Sequence, residues 1–141
     1  MPSSSIVVDA SAVVRLFLGG SDEIRAIWRG YAQRGDHLIA PTLLHYEVTN
    51  ALHRAALGGL ISRPLAQRAL LAALELPITL VGDPDLHRDA WRLTEALGLK
   101  ATYDMHYLAL AVRERAALCT ADLALARHAE ARGVPTTVLR D

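Results

Sequence analysis

Apolar residues follow two alternating rhythms along this chain. Short runs, Ile6-Val7-Val8, His37-Leu38-Ile39-Ala40, Ile78-Thr79-Leu80-Val81, Ala117-Leu118-Cys119 and Thr136 to Leu139, predict strands. Longer stretches with helical punctuation lie between them. Residues 10–18 form one, closed by Gly19-Gly20, and Ser21 caps a second that runs to about Arg34. Thr42 to Leu57, a stretch opened by Ser62 with Pro64 in its first turn, and Asp83-Pro84 to Gly98 follow. Two more run from Thr102 or Tyr103 to about Ala116 and from Ala121 to Arg132. Short strands without apolar–polar alternation imply burial on both faces, hence a mostly parallel five-stranded sheet between helices in a three-layer α/β domain. No repeat, linker or low-complexity stretch interrupts residues 1–141, which predicts a single domain.

Composition narrows the function more than the fold. Apolar residues are 52% of the chain and charged residues 21%, enough for a core and too apolar for a disordered tail. Fifteen Lys and Arg balance fifteen Asp and Glu, which excludes a strongly basic nucleic-acid glove and an acidic tail. Lys100 is the sole Lys, and Arg suits bidentate phosphate contact. Cys119 is the only cysteine, so an intramolecular disulfide and a Cys-rich zinc site are both excluded. No apolar run approaches the ~18 residues of a membrane span, and the N-terminus lacks a basic signal-peptide start, so a soluble cytoplasmic protein is expected.

The acids carry the candidate chemistry. Ligands of open parallel sheets bind outside the carboxyl ends of the strands. Asp9 directly follows the first predicted strand, and Asp122 stands just past the fourth. Glu47 lies in the second turn of the helix leaving the second strand, and Asp104 in the first turn of the helix leading into the fourth. Each alone reads equally well as a helix cap or a solvated acid. Four on one sheet edge repel one another and raise each other's pKa values, which a divalent cation relieves. Hard oxygen donors select Mg²⁺ or Mn²⁺, with water and substrate phosphate completing the shell.

Four segments, Val-Val-Asp9-Ala-Ser11-Ala, Glu47-Val-Thr-Asn50-Ala-Leu, Tyr103-Asp104-Met-His-Tyr107-Leu-Ala-Leu-Ala and Thr120-Ala-Asp122, resemble the successive motifs of PIN-domain nucleases. The nearest likeness is to VapC-type toxins of toxin–antitoxin modules, across the whole chain; His106 stands where a small residue is expected. The resemblance implies strand order 3-2-1-4-5, Mg²⁺- or Mn²⁺-dependent endonuclease activity on RNA, and inhibition by a cognate antitoxin protein. It also points to a homodimer, for which the Ala- and Leu-rich helix from Leu65 to Leu76 offers an apolar face. A PIN-type RNA-processing nuclease without an antitoxin and a non-catalytic PIN-like interaction module are the alternatives.

Asp9, Asp104 and Asp122 are the expected metal ligands, and Glu47 a ligand or the residue that positions the attacking water. Ser11 and Thr120 are candidates to hydrogen-bond these carboxylates. Asn50, three residues past Glu47, is placed to orient it or touch phosphate. Arg15 and Arg113 are candidate phosphate contacts. The histidines, including His45 and His106, read as packing or surface residues, and Cys119 as a buried thiol. Tyr103, Tyr107, Leu108, Leu110 and Ala111 read as helix core, with base stacking the alternative for a tyrosine.

Other readings of an acid after the first strand fit less well. A haloacid-dehalogenase-like phosphatase needs a second acid where Ser11 stands. A receiver domain needs its acid after the third strand, where Asp83 reads as an N-cap. Dinucleotide binding needs a glycine-rich turn in place of Asp9-Ala-Ser-Ala. Setting aside the four acids, eleven remain against fifteen cations, so the rest of the chain carries +4. Local Arg clusters would then supply phosphate affinity.

Overall fold

The computed structural model describes residues 3–140. In chain order the elements are β1 (Ser5–Val8), α1 (Ala10–Phe17), α2 (Asp22–Arg34), β2 (His37–Pro41), α3 (Leu43–Leu57) and α4 (Arg63–Leu74). β3 (Ile78–Val81), α5 (Pro84–Leu97), α6 (Tyr103–Glu114), β4 (Ala117–Thr120), α7 (Leu123–Ala131) and β5 (Thr136–Val138) complete them. The strands form one sheet in the order β3-β2-β1-β4-β5, and every pairing is parallel. The expected α/β architecture and strand order are therefore observed.

Local chemistry explains most boundaries. Ser21, Ser62 and Asp83 each accept a hydrogen bond from the backbone N–H three residues on, opening α2, α4 and α5. Gly35 and Gly98 close α2 and α5 with φ of 67° and 64°, a conformation costly for a residue bearing Cβ. Pro41 is the last residue of β2, where its missing N–H breaks no ladder, and Thr42 N–H donates to Val81 O at 3.0 Å instead. The last helix opens two residues later than its pattern suggests, because Asp122 caps it by accepting from Ala124 and Leu125 N–H.

Burial on both strand faces holds for the centre of the sheet only. Val7, Val8, Ala40, Leu118 and Cys119 are fully enclosed, whereas Thr79 and Leu80 of edge strand β3 face outward. The core is mostly aliphatic and includes Val13, Leu44, Val48, Leu86, Met105, Leu108 and Leu110. It clamps β1 and β4 at the centre, so the backbone at their carboxyl ends is held rigidly. Among the described residues no helix is long and apolar enough to cross a membrane.

Candidate functional site

Asp9 leaves the end of β1 as the N-cap of α1, with extended backbone, and its side chain is almost entirely buried. Three donors converge on it. Ser11 Oγ–H and Ala12 N–H donate to Oδ1 at 2.7 and 3.0 Å, and Thr120 Oγ1–H donates to Oδ2 at 2.6 Å. Both hydroxyls are held in turn, since Ala121 N–H donates to Ser11 Oγ at 2.8 Å and Asp122 N–H to Thr120 Oγ1 at 2.9 Å. Ser11 and Thr120 thus tie the start of α1 to the end of β4 and aim their protons at Asp9. The structure brings both candidates to their carboxylate, and the capping and site-building roles of Asp9 coincide. Burial pushes the Asp9 carboxyl from 3.8 up to about 6 despite these bonds, and Asp104 adds repulsion.

Asp104 occupies the first turn of α6 and makes no hydrogen bond among the described residues. Partial desolvation raises its pKa, and the Asp122 charge raises it further. It also repels Glu47 and Asp9. Asp104 is therefore the acid whose charge every other member of the quartet shares. His128 of α7 partly offsets this.

Glu47 is half-buried on α3. Tyr107 of α6 donates its hydroxyl to Glu47 Oε1 at 2.6 Å across the helix interface. Desolvation is the largest influence on Glu47 and raises its pKa; the Tyr107 bond opposes it and Asp104 adds to it. Asn50, expected to orient Glu47, stands exposed and makes no hydrogen bond to it. The buried phenol from the facing helix takes that place. Tyr107 is core, as its pattern indicates, but its hydroxyl belongs to the site. Its spacing of three residues from Asp104, which puts both on one helix face, is the signal that could have found it.

Tyr107→Phe should keep the packing and remove the hydroxyl that holds Glu47. The expected stability loss is about 1 kcal/mol, the net worth of one such bond. The Glu47 carboxyl should move further upward, because the bond to its ionised form is gone. Thermal melts and an NMR titration of Glu47 check both effects; an unshifted Glu47 titration would refute the assignment.

The two candidate phosphate contacts, Arg15 and Arg113, lie in different places. Arg113 makes a bidentate pair with Asp83, both bonds at 2.9 Å, and holds that carboxyl down at about 2. It lies nine residues from Asp104, about 13 Å along α6 at 1.5 Å per residue. Arg113 is therefore an ion-pair partner and is not beside the acids. Arg15 lines a cleft of about 590 Å³ with Arg127, Arg140, Glu130 and Leu123. Ala121, between Thr120 and Asp122, also lines it, so this cationic cleft adjoins the acidic site.

The remaining expectations divide. Cys119 is fully buried and its thiol is pushed up to about 11, so it stays protonated. Tyr107, Leu108, Leu110 and Ala111 are core, but Tyr103 is not: as the first residue of α6 it precedes the docked part of the helix and is 60% exposed.

The donor set can be judged for a metal on its chemistry. The four side chains offer only carboxylate oxygens, mutually repelling and with raised pKa values in three cases, which suits a hard divalent cation. Among the described residues no three His, Cys, Asp or Glu form a ready-made metal cage. An ion held by one or two carboxylates, with water in its other positions, needs none.

Comparison with known proteins agrees with this fold. The PIN domain model matches residues 6–131. The chain belongs to the PIN domain family. Ribonuclease VapC3 of Mycobacterium tuberculosis is 33% identical over 126 residues, which span 89% of this chain and 88% of that protein. Among solved structures, PAE2754 of Pyrobaculum aerophilum superposes with a TM-score of 0.71 at 26% identity, covering 94% of this chain and 89% of its own. VapBC2 of Rickettsia felis, bound to a DNA fragment from its promoter, gives a TM-score of 0.70 at 11% identity over 96% of this chain and 99% of that one, a likeness of fold. The VapC-type resemblance read from the four motifs is thus borne out.

Proposed function

We propose that this PIN domain is a metal-dependent endoribonuclease acting in the cytoplasm as the toxin of a toxin–antitoxin pair. The observation that carries the reading is the convergence of four acids from four distant segments, with Asp104 as their common neighbour. The similarity to ribonuclease VapC3 supports RNA as the substrate, and the antitoxin is what the VapC-type resemblance of the four motifs implies.

Asp9, Asp104 and Asp122 would hold Mg²⁺ or Mn²⁺, some of them through bound water rather than directly. A bound ion of this kind supplies a water of lowered pKa and neutralises charge on phosphoryl oxygens. Glu47, with one oxygen fixed by Tyr107, would complete the ligand set or accept a hydrogen bond from the attacking water. Ser11 and Thr120 keep Asp9 oriented through the reaction. Water oxygen bonds to phosphorus, the bond to the 3′ oxygen breaks, and that oxygen takes a proton. The products are a 5′-phosphate and a 3′-hydroxyl. No side-chain nucleophile is needed. The cationic cleft would carry flanking phosphates, which reconciles zero net charge with RNA binding. Self-association belongs to the same proposal, supported by Leu57, Leu60, Leu71 and Leu74, which α3, α4 and the turn between them leave open to solvent.

The deciding experiment incubates purified protein with single-stranded and hairpin RNA in Mg²⁺, Mn²⁺ or EDTA and analyses the new ends. Cleavage with either metal, none in EDTA, and 5′-phosphate ends are expected. Cleavage that persists in EDTA, or cyclic phosphate ends, would overturn the mechanism. Expression alone should arrest growth; cleavage without arrest would instead support an RNA-processing nuclease. The cleft has its own readout. Replacing Arg127 and Arg140 by Ala together should weaken binding to RNAs of any sequence. It should also flatten the slope of log affinity against log salt by about two, one for each phosphate no longer neutralised. An unchanged slope would remove the cleft from the binding surface.

A further inference from the structure

Tyr46 and Tyr103 are 76% and 60% exposed. Each immediately precedes a site acid, Glu47 and Asp104, so each lies one Cα step, about 3.8 Å, from the quartet. They come from different helices yet line one cavity of about 350 Å³, where the ends of β2 and β3 meet the starts of α3, α5 and α6. Leu43 and Leu86 give it apolar walls, and His87 and His106 stand at its polar side.

The histidines form an ordered pair. His106 Nδ1–H donates to the Thr102 carbonyl at 2.8 Å, since a carbonyl only accepts. His106 Nε2 is 2.9 Å from His87 Nδ1, and in the neutral pair His87 donates to it. Three of the four ring nitrogens are then engaged, and His87 Nε2 remains for another partner. The rings meet edge to face, with centroids 5.0 Å apart. A cavity with two exposed aromatic faces, apolar walls and one hydrogen-bonding nitrogen matches a flat heteroaromatic ring with a polar edge. Single-stranded RNA offers such rings, and proteins hold them by stacking on Tyr and by bonding the base edge.

We propose that this cavity takes the base of a nucleotide adjoining the cleaved phosphate, with Tyr46 and Tyr103 stacking on it and His87 reading its edge. The assignment rests on the ribonuclease reading above. It makes base identity at one position beside the cut a property of this cavity, while the cationic cleft contacts backbone only.

The test uses full-length Tyr46→Ala, Tyr103→Ala, the matching Phe variants and His87→Ala on a cleaved oligoribonucleotide, alongside versions with an abasic site stepped across the cut. Each Tyr→Ala variant should raise KM by about tenfold or more, the scale of one missing stack, while the Phe variants stay near wild type. One abasic position should cost the wild type a similar factor and cost the Tyr→Ala variants little more. His87→Ala should relax base preference at that same position. Both tyrosines are exposed, so melts should be unchanged. Ala variants that cut like wild type, or equal losses on intact and abasic RNA, would overturn the cavity while leaving the ribonuclease reading in place. A wild type that cuts no RNA would overturn both. If the Ala variants lose self-association in light scattering and keep their KM, the tyrosines belong to an interface between copies and the inference fails.

Discussion

Asp104→Asn should cut RNA at least about a hundredfold more slowly than wild type and, in chelator, melt at a higher temperature. The opposite movements share one cause. Asp104 has no hydrogen bond to lose among the described residues, and its charge faces Asp9, Glu47 and Asp122. Asn keeps the shape and removes three repulsions together with a desolvation cost. Against this stands the favourable place of an acid in the first turn of α6, worth roughly 0.3–1 kcal/mol when exposed. The repulsions should win, for a net gain of about 1 kcal/mol. The charge that costs stability is the one the reaction needs, and losing one electrostatic stabiliser costs about a hundredfold or more. Wild type should gain stability on metal addition by mass action, and the variant much less. Asp9→Asn should lose activity as well but melt lower, because an amide cannot accept from Ser11, Thr120 and Ala12 N–H on both sides. Melts of the three proteins with and without Mn²⁺, beside cleavage assays, separate these outcomes. If Asp104→Asn melts and cuts like wild type, Asp104 is only a helix-end charge.

Metal-free wild type should also gain stability from Asp9 as the pH falls from 7 towards 4, a gain that Asp9→Asn lacks. The folded protein binds the Asp9 proton more tightly than the unfolded chain, with its pKa at about 6 rather than 3.8. Below both values the carboxyl is neutral in either state and contributes no difference. As the pH rises between them, the unfolded chain releases its proton first, and stability falls. Above about 6 the loss is complete. A difference of roughly two pH units at 1.36 kcal/mol each puts it at about 3 kcal/mol. Asp83, held down by Arg113, works in the opposite sense at lower pH. The difference between wild type and Asp9→Asn therefore isolates the effect better than either curve. Chemical unfolding in EDTA at pH 4.5, 6 and 7.5 measures it; parallel curves would mean that the buried carboxylate carries no net cost.

The chain's own pattern determined the fold and the identity of the four acids. Unbroken apolar runs between capped helices force a parallel sheet, because strands buried on both faces need helices on both sides. Caps at Ser21, Ser62 and Asp83 are local interactions over three residues, legible without any tertiary knowledge. Asp9 and Asp122 follow their strands directly, so knowing the strands places the acids. Partners from distant segments were partly within reach: Ser11 and Thr120 lie two residues from an acid, and the structure brings both to Asp9. Tertiary structure alone decided the rest. Glu47 takes its hydrogen bond from Tyr107, sixty residues on, and leaves Asn50 in solvent, because the packing of α3 on α6 selects which side chain reaches it. Arg113 turns to Asp83, thirty residues back, and Arg15 to a cleft shared with Arg127 and Arg140. Tyr103 has the composition of core and the exposure of surface, since burial depends on where the helix first meets the sheet. Strand and helix periodicities report which face of an element is buried, whereas the choice among polar partners depends on distances between elements far apart in sequence.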